Sequence, residues 1–230
     1  MTGDAILCHN SPSDARRAVE SGLAHATPNV LTLVFDNSQD FRIGTFMFAE
    51  HPEIAYVRSP ANIGCCCGRN RIAEFMLRAG CDLWVARDMD VVITGAGWIE
   101  DMAAVFQKYP DTGIVSWQCI SDQLCNAQKP DETGAVPQVA GACCMVSAAA
   151  VRAVGGWATK TLFMRMEDSA FCFDAGLKGF KTRLVIGEQK IAHPTHSSGM
   201  GRHPRCAAIQ AYSEAVFRQM EGQKGWPHLD

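Results

Sequence analysis

The stretch "VARDMDVVI" sets two aspartates, Asp88 and Asp90, one residue apart at the end of a β-prone run. Alternation along an extended segment turns side chains i and i+2 to one side, so both carboxylates can face one divalent cation. Mg2+ or Mn2+ asks for only one or two protein carboxylates when phosphate and water oxygens complete its shell. The pair equally suits a solvated strand end, and the triplet alone does not separate the two readings. A second acidic pair, Glu167-Asp168, stands just ahead of Phe171, Ala175 and Leu177, where a helix is expected to begin. Acids favour that first turn on dipole grounds alone. His193 closes the strand-like "QKIA" and is open to two roles, structural hydrogen bonder or ligand.

Several ways of holding a phosphate are missing. No Gly-x-x-x-x-Gly-Lys-Ser/Thr occurs, and no Gly-x-Gly-x-x-Gly follows the first strand. The glycines of "GCCCGRN" come without the lysine of a phosphate loop. An α/β enzyme lacking these loops neutralises a diphosphate most economically with a divalent cation on carboxylates, a task to which Asp88 and Asp90 are suited.

The elements that must position these groups are legible as alternating patterns. "DAILCHN" reads as a buried strand, and "SPSDARRAVESGLAHA" as a helix capped at Ser13, with Ala15, Ala18, Val19 and Leu23 on one face. Val30 to Phe35 form a second strand ending at Asp36-Asn37-Ser38, and "IAYVRSPAN" a third. "CCGRNRIAEFMLRAG" is a helix closed by Gly80, and "CDLWVARDMD" a fourth strand. In "GWIEDMAAVFQKYP", Trp98, Ile99, Met102, Val105, Phe106 and Tyr109 make one apolar stripe, and "GIVSWQCI" is a fifth strand. Residues 121–138, polar and aperiodic, read as a loop over the site or an acceptor-recognition insert. Strand-like "QVAGACCMV", a short helix "SAAAVRAV" and a Gly155-Gly156 stop follow. The alternation implies an α/β fold with a mostly parallel central sheet flanked by helices. Ligands of such sheets sit at the carboxyl ends of strands, where His9-Asn10, Asp36-Asn37-Ser38 and Asp88-Met89-Asp90 all fall.

The composition fits this reading. A chain of 230 residues with 47% hydrophobic and 20% charged residues suits one soluble domain with a modest appendage. A net charge of −3 supplies no basic field for unspecific nucleic-acid binding. No apolar run reaches the ~18–20 residues that span a bilayer, and "MTGDAILCHN" lacks the basic region of a signal peptide, so a cytosolic protein is expected. Eleven cysteines, an odd number with Cys65, Cys66 and Cys67 consecutive and Cys143 and Cys144 adjacent, read as reduced, small apolar residues. No Cys-x-x-Cys pair points to zinc.

Taken in order, these motifs resemble the GT-A glycosyltransferases, particularly the inverting family 2 type. The resemblance runs through "VFDNSQD", "NIGCCCGRN", "RDMD", "GWIEDMAAVF", "GACCMV", Gly155-Gly156, Glu167-Asp168, Gly179-Phe180 and His193, over about residues 5–200. It implies a GT-A domain over residues 1–200, with residues 201–230 as a C-terminal helical extension packed on it. The stripe Ile209, Tyr212, Ala215, Val216 and Met220 supplies the packing face of that extension.

The resemblance also implies roles. Asp36 would accept a hydrogen bond from the nucleotide base, and Cys8 and His9 would line base and ribose. Arg69 would approach the base or the phosphates, with Asn62, Gly64 and Asn70 shaping that wall and Met89 beside it. Asp88 would touch the ribose or the metal's water shell, Asp90 would ligate Mn2+ or Mg2+, and His193 or His196 would add a second ligand. Asp168 would be the general base, with Glu167 orienting the acceptor or the base. The helix dipole is expected to lower the pKa of Asp168 and keep it ionised.

A nucleotide-diphospho sugar is thus the expected donor. The acceptor stays open among glycan, lipid carrier, protein, small molecule and modified nucleic-acid base. Two departures from the pattern stand out: Ala158 in place of an acid after Gly-Gly-aromatic, and Arg87 in place of an apolar residue before the first Asp. A non-catalytic nucleotide-sugar-binding module of the same fold is the alternative. A sugar-nucleotide pyrophosphorylase would need a Gly-rich basic loop after strand one, which "CHNSPSDARR" lacks.

Overall fold

The structure, a computed structural model, describes residues 1–117, 130–157 and 167–193. Its spine is a seven-stranded sheet in the order β3-β2-β1-β4-β7-β6-β8. The strands are β1 (Thr2–Cys8), β2 (Val30–Asp36), β3 (Ala55–Arg58), β4 (Leu83–Asp88), β6 (Thr112–Ser116), β7 (Cys143–Ser147) and β8 (Lys181–Leu184). A separate ribbon pairs β5 (Val92–Ile93) with β9 (Ile191–Ala192). The helices are α1 (Pro12–Ala24), α2 (Arg42–Glu50), α3 (Cys65–Arg78), α4 (Trp98–Lys108), α5 (Ala148–Val154) and α6 (Glu167–Leu177).

β1, β2, β3 and β4 are mutually parallel, as the alternating pattern implies. β7 runs antiparallel to both β4 and β6, and β6 pairs parallel with β8. This one reversal brings the amino-terminal end of β7 to the carboxyl end of β4. There the Asp88 amide donates to the Ala142 carbonyl at 2.8 Å.

Strand alternation divides the core. Ala5, Leu7, Leu33, Phe35, Trp84 and Ala86 face α3, α5 and α6. On the other face, Ile6, Cys8 and Val34 meet α1 and α2, and Val85, Val115 and Met145 meet Trp98, Ile99 and Met102 of α4. Between these two patches lies a buried ion pair. Arg87 grips Asp4 bidentately at 2.8 and 2.8 Å and donates to the Ala18 carbonyl at 2.9 Å. Its guanidinium also lies over the Trp98 ring, 5.6 Å from the centroid. The departure noted at position 87 is therefore explained inside this chain, because Asp4 on the neighbouring strand is its counter-charge. Gly22 leaves the room; a Cβ there would come within 2.4 Å of Arg87 Nη2.

Several local expectations are corrected. Ser11, not Ser13, precedes α1, and Pro12 takes the first helical turn, where its missing N–H costs nothing. Leu23 is exposed and Gly22 is buried in its place. α2, β5 and β8 have no counterpart in the sequence reading. Within the expected 121–138 loop, residues 130–138 include a turn in which Asp131 accepts from Thr133 and Ala135, and Ala135 bridges to Arg183. The rest of that loop, Ala158, His196 and the 201–230 extension lie outside the described residues. No helix among the described residues is long and apolar enough to cross a membrane.

Candidate active site

The parallel strands β2, β1 and β4 end level with one another: Cys8 pairs with Asp36 and Leu7 with Asp88. The clusters at these ends are thereby brought to one edge. His9 receives support from three sides. Its Nδ1 lies 3.0 Å from the Asn37 carbonyl, its Nε2 lies 3.0 Å from Asn10 Nδ2, and its amide donates to Met89 Sδ at 3.1 Å. Asn37 and Asn62 then lock the neighbouring wall. Asn62 Oδ1 accepts from Asn37 Nδ2 at 3.0 Å and from the Gly64 amide at 2.9 Å, while Asn37 Oδ1 accepts from the Ile63 amide at 2.9 Å. Gly64, at φ 82, makes the left-handed step that starts α3 there.

Two residues expected on this wall are withdrawn from it. Cys8 and Asp36 are wholly covered. Cys8 points into the core under α1 and α2, and Asp36 accepts from the Ser38 amide at 2.9 Å and from the Tyr56 hydroxyl at 2.6 Å. Strand alternation explains the first and local turn bonding the second. In this structure the exposed polar atoms of the wall come from His9, Asn10 and Asn62 instead.

The metal-side residues do converge. The β5–β9 ribbon sets Val92 against Ala192, which delivers His193 to the Asp-x-Asp turn. His193 Nε2 comes within 3.3 Å of Asp90 Oδ1. Burial raises the pKa of Asp88 to about 6; Arg69 and His193 pull it back down, while Asp90 and Glu167 add to the rise. Asp90 and His193 supply one oxygen and one nitrogen donor to a common point, enough for Mn2+ or Mg2+ when phosphate and water oxygens complete the shell, and no third ligand group among the described residues joins them within 4.8 Å. These residues fit the expected ion.

Arg69 is placed differently from expectation. Its side chain is 1% exposed and sits among carboxylates instead of opening onto the wall. Nη2 donates to Asp88 Oδ1 at 3.2 Å and to the Gly141 carbonyl at 3.0 Å. Nε lies 3.9 Å from Glu167 Oε1 and 3.8 Å from Asp168 Oδ1. The next residue, Asn70, serves the loop before α6: it accepts from the Trp157 amide at 2.8 Å and donates to the Trp157 carbonyl at 3.0 Å. Gly156 must be glycine, since it has φ +93 and a Cβ would meet Asn70 Oδ1 at 2.4 Å. Trp157 in turn stacks on Phe171 of α6 at 4.6 Å, fixing the helix that carries Glu167 and Asp168.

Asp168 departs from the dipole argument. Its pKa is raised, not lowered. Burial is the first cause and the adjacent Glu167 carboxylate the second, against which Arg69 and an N–H from Gly141 work in the opposite direction. Desolvation costs a carboxylate more than one helix end returns. Gly141, quoted in the "GACCMV" pattern but given no role there, is the residue sequence reasoning missed. A Cβ at position 141 would lie 1.8 Å from Asp168 Cγ, so only hydrogen fits there. A lone Gly before a strand carries too little signal to reveal this. The Cys65 thiol sits within electrostatic reach of Glu167, Arg69, Asp88 and Asp168, and burial holds it well above its ordinary pKa. It is thus a poor thiolate nucleophile.

The parallel β3-β2-β1-β4 half, the reversed β7 and the ribbon that returns a histidine to an Asp-x-Asp turn make up a GT-A glycosyltransferase fold. Among solved structures, the chain is similar to a mannosyltransferase from Pyrobaculum calidifontis in complex with GDP-Man and Mn2+, with TM-score 0.72 and 16% identity over 95% of this chain and 64% of that one. It is also similar to GalNAc-T7 with UDP, GalNAc and Mn2+, with TM-score 0.73 and 12% identity over 96% of this chain and 48% of that one. TarS 1–349 of S. aureus in complex with UDP gives TM-score 0.63 and 13% identity over 83% of this chain and 59% of that one. The chain thus spans less than two thirds of the length of each. No family model and no curated protein matches the sequence.

Proposed function

We propose that the chain is a metal-dependent, inverting glycosyltransferase, acting in the cytosol, that moves a sugar from a nucleotide-diphospho sugar to a hydroxyl acceptor. One observation carries the reading. Asp88 on one side, and Glu167 and Asp168 on the other, face Arg69 near the carboxyl ends of parallel strands, with the Asp90–His193 pair in electrostatic reach of Asp88. The GDP-Man, UDP and Mn2+ present in the similar structures support a nucleotide-sugar donor and a divalent ion.

Asp90 and His193 would hold the cation, with Asp88 at its water shell or at the ribose through the oxygen that Arg69 leaves open. Bound there, the cation would supply charge stabilisation to the departing diphosphate. His9, Asn62, Gly64 and Met89 line the nucleoside side, with Asn70 behind them as a brace. Asp168 takes the proton of the acceptor hydroxyl, and Glu167 sets its orientation. A raised pKa makes Asp168 a stronger base than an exposed carboxylate, at the cost of a smaller ionised fraction. One base and no covalent nucleophile are what single-step inversion requires, and the Cys65 thiol, held well above its ordinary pKa by burial, agrees with that.

The test is a thermal-shift panel of UDP, GDP, TDP and CDP sugars with and without Mn2+, run on the parent and on Asp90→Ala. Metal-dependent stabilisation by one nucleotide class, lost in the variant, is the expected result. No response to any donor would sink the proposal.

A further inference from the structure

Arg69 presents an accounting problem. Its guanidinium is 1% exposed, yet Nε and Nη1 have no hydrogen-bond partner among the described residues, and neither do Glu167 Oε2 and Asp168 Oδ1. Buried donors and acceptors normally pair, and burying a charge costs several kcal/mol unless its partners compensate. The groups facing Arg69 are Asp88 from β4, the Gly141 carbonyl ahead of β7, Glu167 and Asp168 from α6, and Cys65 from its own helix. One cation is thus shared among three carboxylates from two elements. It makes close contact with only one of them.

We propose that Arg69 is a positioning residue: its buried guanidinium holds donor-side Asp88 and acceptor-side Asp168 at a fixed separation, so that both halves of the transfer are built around one charge. The inference rests on the transferase reading and assigns Arg69 no contact with either substrate. Its fork is what matters. Nη2 faces Asp88 and Gly141 while Nε faces the α6 carboxylates, so a single planar group spans both. A lysine keeps the charge and loses the span. Gly141 closes the arrangement from behind, accepting from Arg69 and donating to Asp168, with no space for a side chain.

The experiment compares the parent with Arg69→Lys in Mn2+, following release of nucleoside diphosphate from the donor sugar selected by the thermal-shift panel. Melting temperature is recorded in parallel. Turnover in Arg69→Lys is expected to fall about 100-fold, the effect of misplacing a reacting group by roughly 1 Å. The donor KM should change by less than turnover does, because Asp90 and His193 are untouched and only Asp88 shifts on the donor side. Gly141→Ala keeps the arginine but pushes Asp168 aside, so it should give the same split, and it carries the test if Arg69→Lys does not fold. Parental turnover in the folded variants would overturn the inference, leaving Arg69 as packing. A loss wholly in KM would overturn it too, returning Arg69 to the donor pocket. If the parent itself releases no nucleoside diphosphate, the transferase reading fails and the inference falls with it.

Discussion

Two arginines, each 1% exposed, lie on opposite faces of the same sheet, and they solve the problem of a buried charge in opposite ways. Arg87 gives Nε and Nη2 to one aspartate and Nη1 to a carbonyl, with every contact between 2.8 and 2.9 Å. Arg69 divides itself among three carboxylates, and two of its nitrogens have no hydrogen-bond partner among the described residues. The first is a finished bond that glues β1, β4 and α1. The second is an unfinished one beside a site whose ligands bring further charge. Saturated pairing at Arg87 ties three elements together, whereas the divided pairing at Arg69 spans carboxylates from two.

The contrast can be broken most forcefully at the metal side. Asp90→Ala is expected to abolish Mn2+-dependent donor stabilisation and turnover together, read by thermal shift and product release. Next, Asp168→Asn should lower turnover by about 10²–10⁴-fold while leaving nucleoside diphosphate binding in place, as loss of a general base would. Calorimetric binding of the diphosphate separates that outcome from a collapsed site.

The Arg87 side predicts the reverse pattern. Arg87→Met leaves Asp4 buried without its counter-charge and should cost roughly 3–5 kcal/mol in denaturant unfolding. The surviving folded fraction should keep its donor KM.

The smallest effect is a pH dependence. Burial pushes the Asp88 carboxyl up to about 6, above its unfolded value, so it binds a proton more tightly when folded. Its contribution to stability is therefore greatest at low pH and is lost as pH rises toward about 6. Mn2+ should reverse this: its apparent affinity should weaken as pH falls through about 6, with proton release on binding. Melting curves of the parent minus those of Asp88→Asn, with and without Mn2+, measure both. A metal affinity that is flat with pH would show that Asp88 does not take part.

Much of the fold was legible in the sequence, the contrast between the two arginines was not, and the illegible part has physical reasons. The alternating strands and α4 stood out because burial on one face imposes a period. α2 did not, because "RIGTFMFAE" is short, contains a glycine, has no side-chain cap and mixes buried Phe46 with exposed Phe48. β8 and the two-residue β5 are too short to show alternation. Asp88, Asp90, Glu167, Asp168 and His193 stand out in the sequence because their chemistry is unusual at strand ends and helix starts. Arg69 was found but misplaced, since a sequence shows a charge and not the direction in which it points. Asp36 and Cys8 fell at the right edge but on the covered side of it. The sign of the Asp168 shift was missed because helix position is visible in a sequence and desolvation is not.

The reversal of β7 has a consequence for motion. Ala142 fixes the main chain of Asp88, and Gly141 both receives Arg69 and donates to Asp168. Groups from β4, α3 and α6 are therefore all measured from the same two residues of backbone. Any displacement of residues 141–142 would therefore reach Asp88, Arg69 and Asp168 at once, as an error in one datum enters every reading taken from it.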